Sequence, residues 1–190
     1  MSLKILSEFL KSPKYIGAIA PSSRALSRTI VSDIGMESAS VILEYGPGTG
    51  VFTRQILQTK RPDAQFAAIE RNEALAGQFR QQFPDVPLYA TSAEEAPDIV
   101  RDLGAEKADC IVSGLPWAAF DDDLQNRLLG ATLDALADGG RFVTFAYLQG
   151  LLLPAGKRFA KKLRSHFATV TRSRIVWWNL PPAFVYRCTK

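Results

Sequence analysis

Three glycines and two acidic residues have the spacing in this chain that best suits ligand chemistry. Residues 44–50 read Glu-Tyr-Gly-Pro-Gly-Thr-Gly, and Glu70 follows 20 residues after Gly50. Glycines at Gly46, Gly48 and Gly50 let a chain turn sharply and let a ligand lie against bare backbone, near the N–H groups that begin a helix. A carboxylate at the end of the next strand can accept both hydroxyl hydrogens of a ribose. The pattern predicts a nucleoside-binding site.

The loop departs from both common phosphate-binding patterns. A dinucleotide fingerprint needs its third glycine where Val51 stands, and the loop has no Lys followed by Ser or Thr to hold a triphosphate. Glu44 beside the loop favours a ligand with a cationic amino group and no pyrophosphate. S-adenosylmethionine fits that description, and we expect it as the cofactor.

Composition excludes several other chemistries. The single histidine, His166, and the two cysteines, Cys110 and Cys188, form no zinc-site spacing and no nucleophile triad, so we expect no metal. A content of 47% apolar and 22% charged residues is typical of a globular domain, and no apolar run is long enough to span a bilayer. The N-terminus lacks the features of a secretory signal, which predicts a cytoplasmic protein with reduced thiols.

Charge is divided unevenly along the chain. Residues 141–190 contain ten Lys and Arg and no acidic residue, so all 19 Asp and Glu precede Arg141. Such a basic C-terminal quarter suggests an anionic partner, either lipid headgroups or nucleic acid. No obligate protein partner is inferred.

Short apolar runs alternate with helical patterns, which predicts an α/β fold with a mostly parallel sheet covered on both faces. Helical patterns occupy about 51–60, 72–82, 94–103, 121–137 and 155–167, after two N-terminal helices at about 2–11 and 22–34. The last two predicted strands are separated by five residues, too few for a crossover, so they should form an antiparallel hairpin. We expect one domain, with a helical segment 1–40 before a core of 41–190. The strand candidates are Val41–Glu44, Gln65–Glu70, Pro87–Ala90, Ala108–Ser113, Arg141–Tyr147, Arg172–Trp178 and Phe184–Cys188.

These features resemble the class I S-adenosylmethionine-dependent methyltransferases, whose seven-stranded Rossmann-like sheet ends in an antiparallel hairpin. The resemblance implies that Gly46, Gly48 and Gly50 shape the cofactor loop and that Glu70 binds ribose. Arg71 and Asn72 should then lie beside the adenine. The family's Asp-Ala pair after strand three corresponds to Ser92-Ala93, with Glu94 as a substitute. Ser92 also precedes Glu95 by three residues, as in a helix-capping box, and both roles stay open.

The end of strand four, Ser113-Gly114-Leu115-Pro116-Trp117, should border the methyl-transfer site, because ligands bind beyond the carboxyl ends of parallel strands. Its pattern resembles the Asn-Leu-Pro-aromatic motif of adenine N6-methyltransferases, including ribosomal RNA adenine dimethyltransferases, with Ser-Gly where asparagine is expected. Trp117 is either a ring that contacts the acceptor or a core residue.

A resemblance over nearly the whole chain is to the bacterial phospholipid N-methyltransferases. It is carried by SPKYIGAIAPSSRAL (12–26), LEYGPGTGVFTR (43–54), SGLPW (113–117), GGRFVTFAY (139–147) and WWNLPPAFVYR (177–187). The resemblance implies methylation of phosphatidylethanolamine toward phosphatidylcholine, on the inner face of a membrane, with residues 15–18 and 21–23 folded over the cofactor.

Amphipathic segments agree with a membrane partner. Residues 3–10 place five apolar side chains within one helical arc, which fits either an interfacial helix or an arm packed on the sheet. In 157–167, five cations lie opposite an apolar face, next to Leu151-Leu152-Leu153-Pro154, and we interpret this as an anionic-membrane contact. Trp177 and Trp178 should point to opposite faces of a strand, so that one lies in the core and the other faces the substrate cleft or the membrane.

The methyl acceptor must be a neutral amine, because an ammonium has no free electron pair. Tyr15, Tyr147, Glu44 and water are candidate proton acceptors. Aromatic rings at Tyr15, Trp117 and Tyr147 would hold a methylated cation by cation–π attraction. The leading hypothesis is a phospholipid N-methyltransferase. The alternatives are an RNA or DNA adenine methyltransferase and a non-catalytic lipid- or nucleic-acid-binding module.

Overall fold

The computed structural model describes residues 22–190, and the expected helix at 2–11, Tyr15 and the segment 15–18 lie outside them. Within residues 22–190, six α-helices alternate with seven strands in one sheet of order β3-β2-β1-β4-β5-β7-β6. The helices are α1 (Arg24–Val31), α2 (Val51–Thr59), α3 (Glu73–Gln82), α4 (Ala96–Asp102), α5 (Asp122–Ala135) and α6 (Pro154–His166). The strands are β1 (Val41–Tyr45), β2 (Gln65–Ile69), β3 (Leu88–Tyr89), β4 (Ala108–Ser113), β5 (Leu136–Tyr147), β6 (Thr169–Arg172) and β7 (Ala183–Thr189).

Strands β1 to β5 run parallel, and β7 runs antiparallel to both β5 and β6, as the sequence predicts. The strands are apolar on both faces because helices cover both. Helices α1 and α2 pack on one face with Ile42 and Val112, whereas α4, α5 and α6 pack on the other with Leu43 and Ile111. Alternate residues of each strand therefore enter different cores.

The expected sixth strand, Arg172–Trp178, is wrong. The strand is Thr169–Arg172, and residues 173–182 form a long connection to β7 in place of the expected short turn. Ser173 ends the pairing because its Oγ accepts the Val185 N–H at 2.9 Å, and the chain returns only at an isolated bridge between Val176 and Ala183. Consecutive apolar residues in this connection reach solvent instead of alternating across a sheet.

Candidate active site

The β1–α2 loop exposes bare backbone at the carboxyl end of β1. Gly46, Gly48 and Gly50 have φ values of +63°, +53° and +72°, a region that disfavours every residue with a side chain. A Cβ at Gly48 would meet nothing within 4 Å, whereas one at Gly50 would overlap the Phe83 ring. Gly50 is therefore required by helix packing, and Gly48 leaves open space for a ligand.

Glu44 is fully buried below this loop. The Thr53 hydroxyl donates to its Oε2 at 2.7 Å, and Oε1 has no partner among the described residues. Burial raises the pKa of Glu44 to about 8. An unpaired carboxylate oxygen in such a place fits the cationic amino group expected of the cofactor. Sequence reasoning missed Thr53, although a polar residue on the buried face of α2, beside Phe52 and Ile56, signals such a contact.

Glu70 follows β2 and lies close to the same loop. Burial raises its pKa, which the backbone N–H groups of Asn72, Gly48 and Arg71 lower, and the Asn72 N–H donates to Glu70 Oε1 at 2.9 Å. The charge of Glu70 in turn raises the pKa of Glu44, after the larger effect of burial. The fold thus brings the two carboxylates and Gly48 together, and the contacts of Glu44 with an amino group and of Glu70 with a ribose stay predictions.

Two of the residues expected beside the adenine, Asn72 and Ser92, cap helices in this structure. Asn72 caps α3, since its Oδ1 accepts the Leu75 N–H at 3.1 Å. Ser92 caps the short 3-10 helix Ala93–Glu95, which confirms the capping role. The remaining three candidates differ in environment, and their adenine contacts stay predictions: Arg71 is exposed, Ala93 is buried, and Glu94 forms a 3.1 Å ion pair with Arg127.

The β4 turn lies directly against the glycine loop. The Gly114 N–H donates to Tyr45 O at 2.7 Å, and a Cβ on Gly114 would lie 2.5 Å from Gly46 O. Only glycine permits this approach. The turn therefore forms one side of the space above the glycine loop, where an acceptor would meet the cofactor.

Ser113 and Trp117 are bonded to each other in the core. Trp117 Nε1 donates to Ser113 Oγ at 2.9 Å, and its ring is 2% exposed and stacked on Phe159 at 5.3 Å. The structure therefore places Trp117 as a core ring, one of the two alternatives above. The expected roles of Ser113 and Trp117 toward an acceptor stay predictions.

Tyr147 ends β5, and its ring contacts Phe145 edge-on at 5.6 Å. Burial raises its pKa, so the phenol keeps its proton at neutral pH.

A residue that sequence reasoning missed lies in the connection that leads into β7. Asn179 is buried, and its Oδ1 accepts the Ser23 N–H at 2.9 Å, which ties the segment before α1 to this connection. A lone amide within an apolar run is the signal that could have identified it.

Two loops expose large apolar side chains at the carboxyl end of β5. One loop follows β5 and the other precedes its neighbour β7, and they are joined at their base, where the Leu148 N–H donates to Pro182 O at 2.8 Å. Leu152 is 79% exposed and Trp178 88%. We call the set the apolar rim: Leu152, Leu153, Trp177, Trp178 and Leu180. Both tryptophans are exposed, whereas the sequence predicted that one would be buried.

Cations with no carboxylate partner among residues 22–190 lie beside the apolar rim. Of the five Lys and Arg in α6, only Lys162 forms an ion pair with a described residue, to Asp122 at 2.9 Å. None of the helices within 22–190 has the length and apolar character needed to cross a bilayer.

Comparison with known proteins gives both sequence and structural relatives, although no protein-family model matches. The ornithine lipid N-methyltransferase of Singulisphaera acidiphila is 33% identical over 186 residues, spanning 96% of this chain and 93% of that protein. The ribosomal RNA small subunit methyltransferase A of Thermotoga petrophila is 30% identical over 112 residues, 57% of this chain and 40% of its own length. The O-methyltransferase TomG of Streptomyces achromogenes, in complex with S-adenosylmethionine, aligns with a TM-score of 0.67 at 15% identity, covering 100% of this chain and 88% of that one.

Proposed function

The chain belongs to the class I S-adenosylmethionine-dependent methyltransferases, and on that premise we propose that it N-methylates the headgroup amine of phosphatidylethanolamine at an anionic membrane surface. The observation that carries the proposal is the apolar rim, which lies beside cations that form no ion pair within residues 22–190. The rim lies at the carboxyl end of the parallel strands, as the glycine loop does. Apolar side chains that would otherwise face water gain by entering a bilayer, and nearby cations add attraction to anionic lipids. The full-length relative is itself named for a lipid amine acceptor.

The residues present fit the cofactor. Glu44 Oε1 would accept hydrogen bonds from its amino group, and Glu70 would accept them from its ribose hydroxyls. The open space beside Gly48 would let the cofactor lie against the backbone. When bound, S-adenosylmethionine supplies a methyl group already activated on a positive sulfur. The protein must then align a neutral amine with that methyl group and exclude water.

Among the proposed proton acceptors, the structure favours water over the described side chains. Tyr147 has a raised pKa, which makes its phenolate scarce at neutral pH, so its ring suits cation–π contact better than proton abstraction. Glu44 lies below the loop with Thr53 on one oxygen, and its other oxygen is needed for the cofactor.

The relatives that modify ribosomal RNA keep adenine N6-methylation as a second candidate. The position of Trp117 argues against it. A target base taken out of its stack would need an exposed aromatic surface at the β4 turn, and this ring is covered by Phe159.

The test incubates the full chain and methyl-labelled S-adenosylmethionine with one of three acceptors: vesicles of phosphatidylethanolamine and phosphatidylglycerol, vesicles containing ornithine lipid, or RNA. We expect label in phosphatidylethanolamine and its loss in Glu70→Ala. Label confined to ornithine lipid would overturn the phosphatidylethanolamine assignment, and label confined to RNA would overturn any lipid acceptor. No label anywhere, with no cofactor binding, would favour a non-catalytic module.

A matched pair of variants tests the membrane contact. Replacing Leu152 and Leu153 with serine removes two exposed apolar side chains, and serine at position 153 is a favourable cap for α6. Vesicle affinity should fall by at least tenfold, given roughly 1.5–3 kcal/mol for each fully buried leucine. Leu57→Ser, on an exposed leucine of α2, should leave it unchanged. Equal losses in both variants would contradict membrane contact through the apolar rim.

A further inference from the structure

A second cavity, distinct from the glycine loop, lies between α6 and the β6–β7 hairpin. Its volume is about 190 Å³, which holds about six waters at roughly 30 Å³ each and suits a small polar group better than a whole nucleoside. It is lined by Leu151, Gly156, Lys157, Ala160, Arg164, Arg172 and Tyr186.

The packing of α6 forms one wall of this cavity. A Cβ on Gly156 would overlap the carbonyl oxygen of Gly150, so glycine lets the turn Leu148–Leu151 lie against the helix. Lys157, Ala160 and Arg164 recur at helical spacing, which places both cations on the helix face that meets the hairpin.

Three cations line the cavity and no acidic residue does. Lys157, Arg164 and Arg172 form no ion pair within the described part of the chain, although a carboxylate partner would offset their mutual repulsion. Tyr186 adds a hydroxyl donor. Burial raises its pKa, the charges of Arg172 and Arg164 lower it, and all three residues line the same cavity. Guanidinium groups and a hydroxyl are the donors that bind a phosphate through several oxygens.

The sheet register shows how far this cavity lies from the methyl-transfer site. Ser113 pairs with Thr144, Thr144 with Tyr186, and Tyr186 with Arg172. At about 4.8 Å per strand, Tyr186 is about 10 Å from Ser113 and Arg172 about 14 Å. In an ethanolamine headgroup an ethylene spacer joins phosphate and amine, a shorter span than this backbone separation, which favours a second lipid in the cavity over the methyl acceptor.

We propose that the cavity between α6 and the β6–β7 hairpin binds the phosphate group of a glycerophospholipid that is not the methyl acceptor. Leu151, which lines the cavity, directly precedes Leu152 and Leu153 of the apolar rim, so a headgroup held there would have acyl chains beside exposed leucines. The lipid source rests on the proposed membrane function, whereas the phosphate chemistry does not.

The test measures calorimetric binding of inorganic phosphate, glycerophosphoglycerol and short-chain phosphatidylglycerol below its micelle concentration. The full chain is used without methyl donor or acceptor, so absence of methyl transfer cannot affect the result. We expect phosphatidylglycerol to bind most tightly. Equal binding of inorganic phosphate would support the phosphate site and assign it to soluble phosphate. No binding of any of the three would overturn the proposal.

Two pairs of substitutions separate site binding from general attraction. Arg164→Gln with Arg172→Gln removes two charges from the cavity, and Arg158→Gln with Lys161→Gln removes two charges from α6 outside its lining. The first pair should weaken phosphate binding at least tenfold more than the second. Equal losses would show diffuse electrostatic attraction and overturn the site.

Tyr186→Phe provides a variant with no change in charge or packing volume. It should weaken phosphate binding about tenfold, as expected for one hydrogen bond to a charged group, with the thermal unfolding midpoint measured alongside. Unchanged affinity in Tyr186→Phe, together with equal losses in the two charge pairs, would leave the cavity without a ligand role.

Discussion

Cofactor binding should depend on pH through Glu44, which must be ionised to hold an ammonium group. Its pKa of about 8 means that most molecules carry a neutral Glu44 at pH 6. The ligand amino group loses its own proton near pH 7.7–8.0. When both conditions are combined, affinity should rise about 20-fold from pH 6 to a maximum near pH 8 and fall again above it.

Calorimetry with S-adenosylhomocysteine tests this without turnover, since that ligand carries the same amino acid group. In Glu44→Gln the affinity should no longer rise between pH 6 and pH 8, and it should be at least tenfold weaker than that of the parent chain at pH 8. Glu37→Gln, an exposed acid outside the site, is the matched control and should behave like the parent chain. An affinity that stays constant between pH 6 and 8 in the parent chain would refute the assignment of Glu44.

Stability should respond in the opposite direction. The folded pKa of Glu44 is raised from an ordinary value of 4.5, so the unfolded chain releases its proton first as pH rises. Stability is therefore full below pH 4.5 and lost progressively up to about pH 8, by on the order of 4 kcal/mol. Glu44→Gln should flatten this decline in urea unfolding measured without ligand. A parent chain whose Glu44-dependent stability rose over that window would show that the carboxylate is paired, not isolated.

Substitutions at three further positions test the packing around the site. Gly50→Ala should lower the unfolding midpoint by several degrees and weaken cofactor binding, because the methyl group would overlap the Phe83 ring at a positive φ; circular dichroism and calorimetry measure both. Trp117→Phe should cost about 1 kcal/mol through its lost hydrogen bond to Ser113, whereas Trp117→Ala should cost about 3–5 kcal/mol in urea unfolding. Asn179→Ala should speed amide hydrogen exchange at the start of α1 while leaving the sheet protected. An unchanged exchange rate at the start of α1 would show that the hydrogen bond from the Ser23 N–H to Asn179 does not hold this segment.

The parallel core was predictable because its signals are local. Buried apolar runs mark β1, β2 and β4, and the glycine loop marks the point where β1 gives way to a helix. The β6 error has an equally local cause. Apolar residues at 175–178 read as a strand, but an exposed edge can leave such residues in a loop when a polar contact, here Ser173 Oγ with the Val185 N–H, ends the ladder first.

The site was less predictable because its chemistry depends on contacts between distant residues. Glycine and acid spacing indicated which residues should surround the cofactor, yet the raised pKa of Glu44 depends on its complete burial beside Thr53. Whether Trp117 faces an acceptor or the core depends on α6, which supplies Phe159 from 42 positions later in the chain. Neither fact follows from the motif around the residue itself.

Charge asymmetry along the chain acquires a spatial meaning only in the folded sheet. Because β7 is inserted between β5 and β6, the acid-free C-terminal residues collect on one side of the sheet, beyond β4. The two carboxylates proposed to bind the cofactor, Glu44 in β1 and Glu70 directly after β2, lie on the opposite side of β4. An anionic surface can therefore approach the β5–β7–β6 side through the apolar rim without meeting the acids that hold a positive cofactor. The amine to be methylated would enter between the two sides, at the β4 turn.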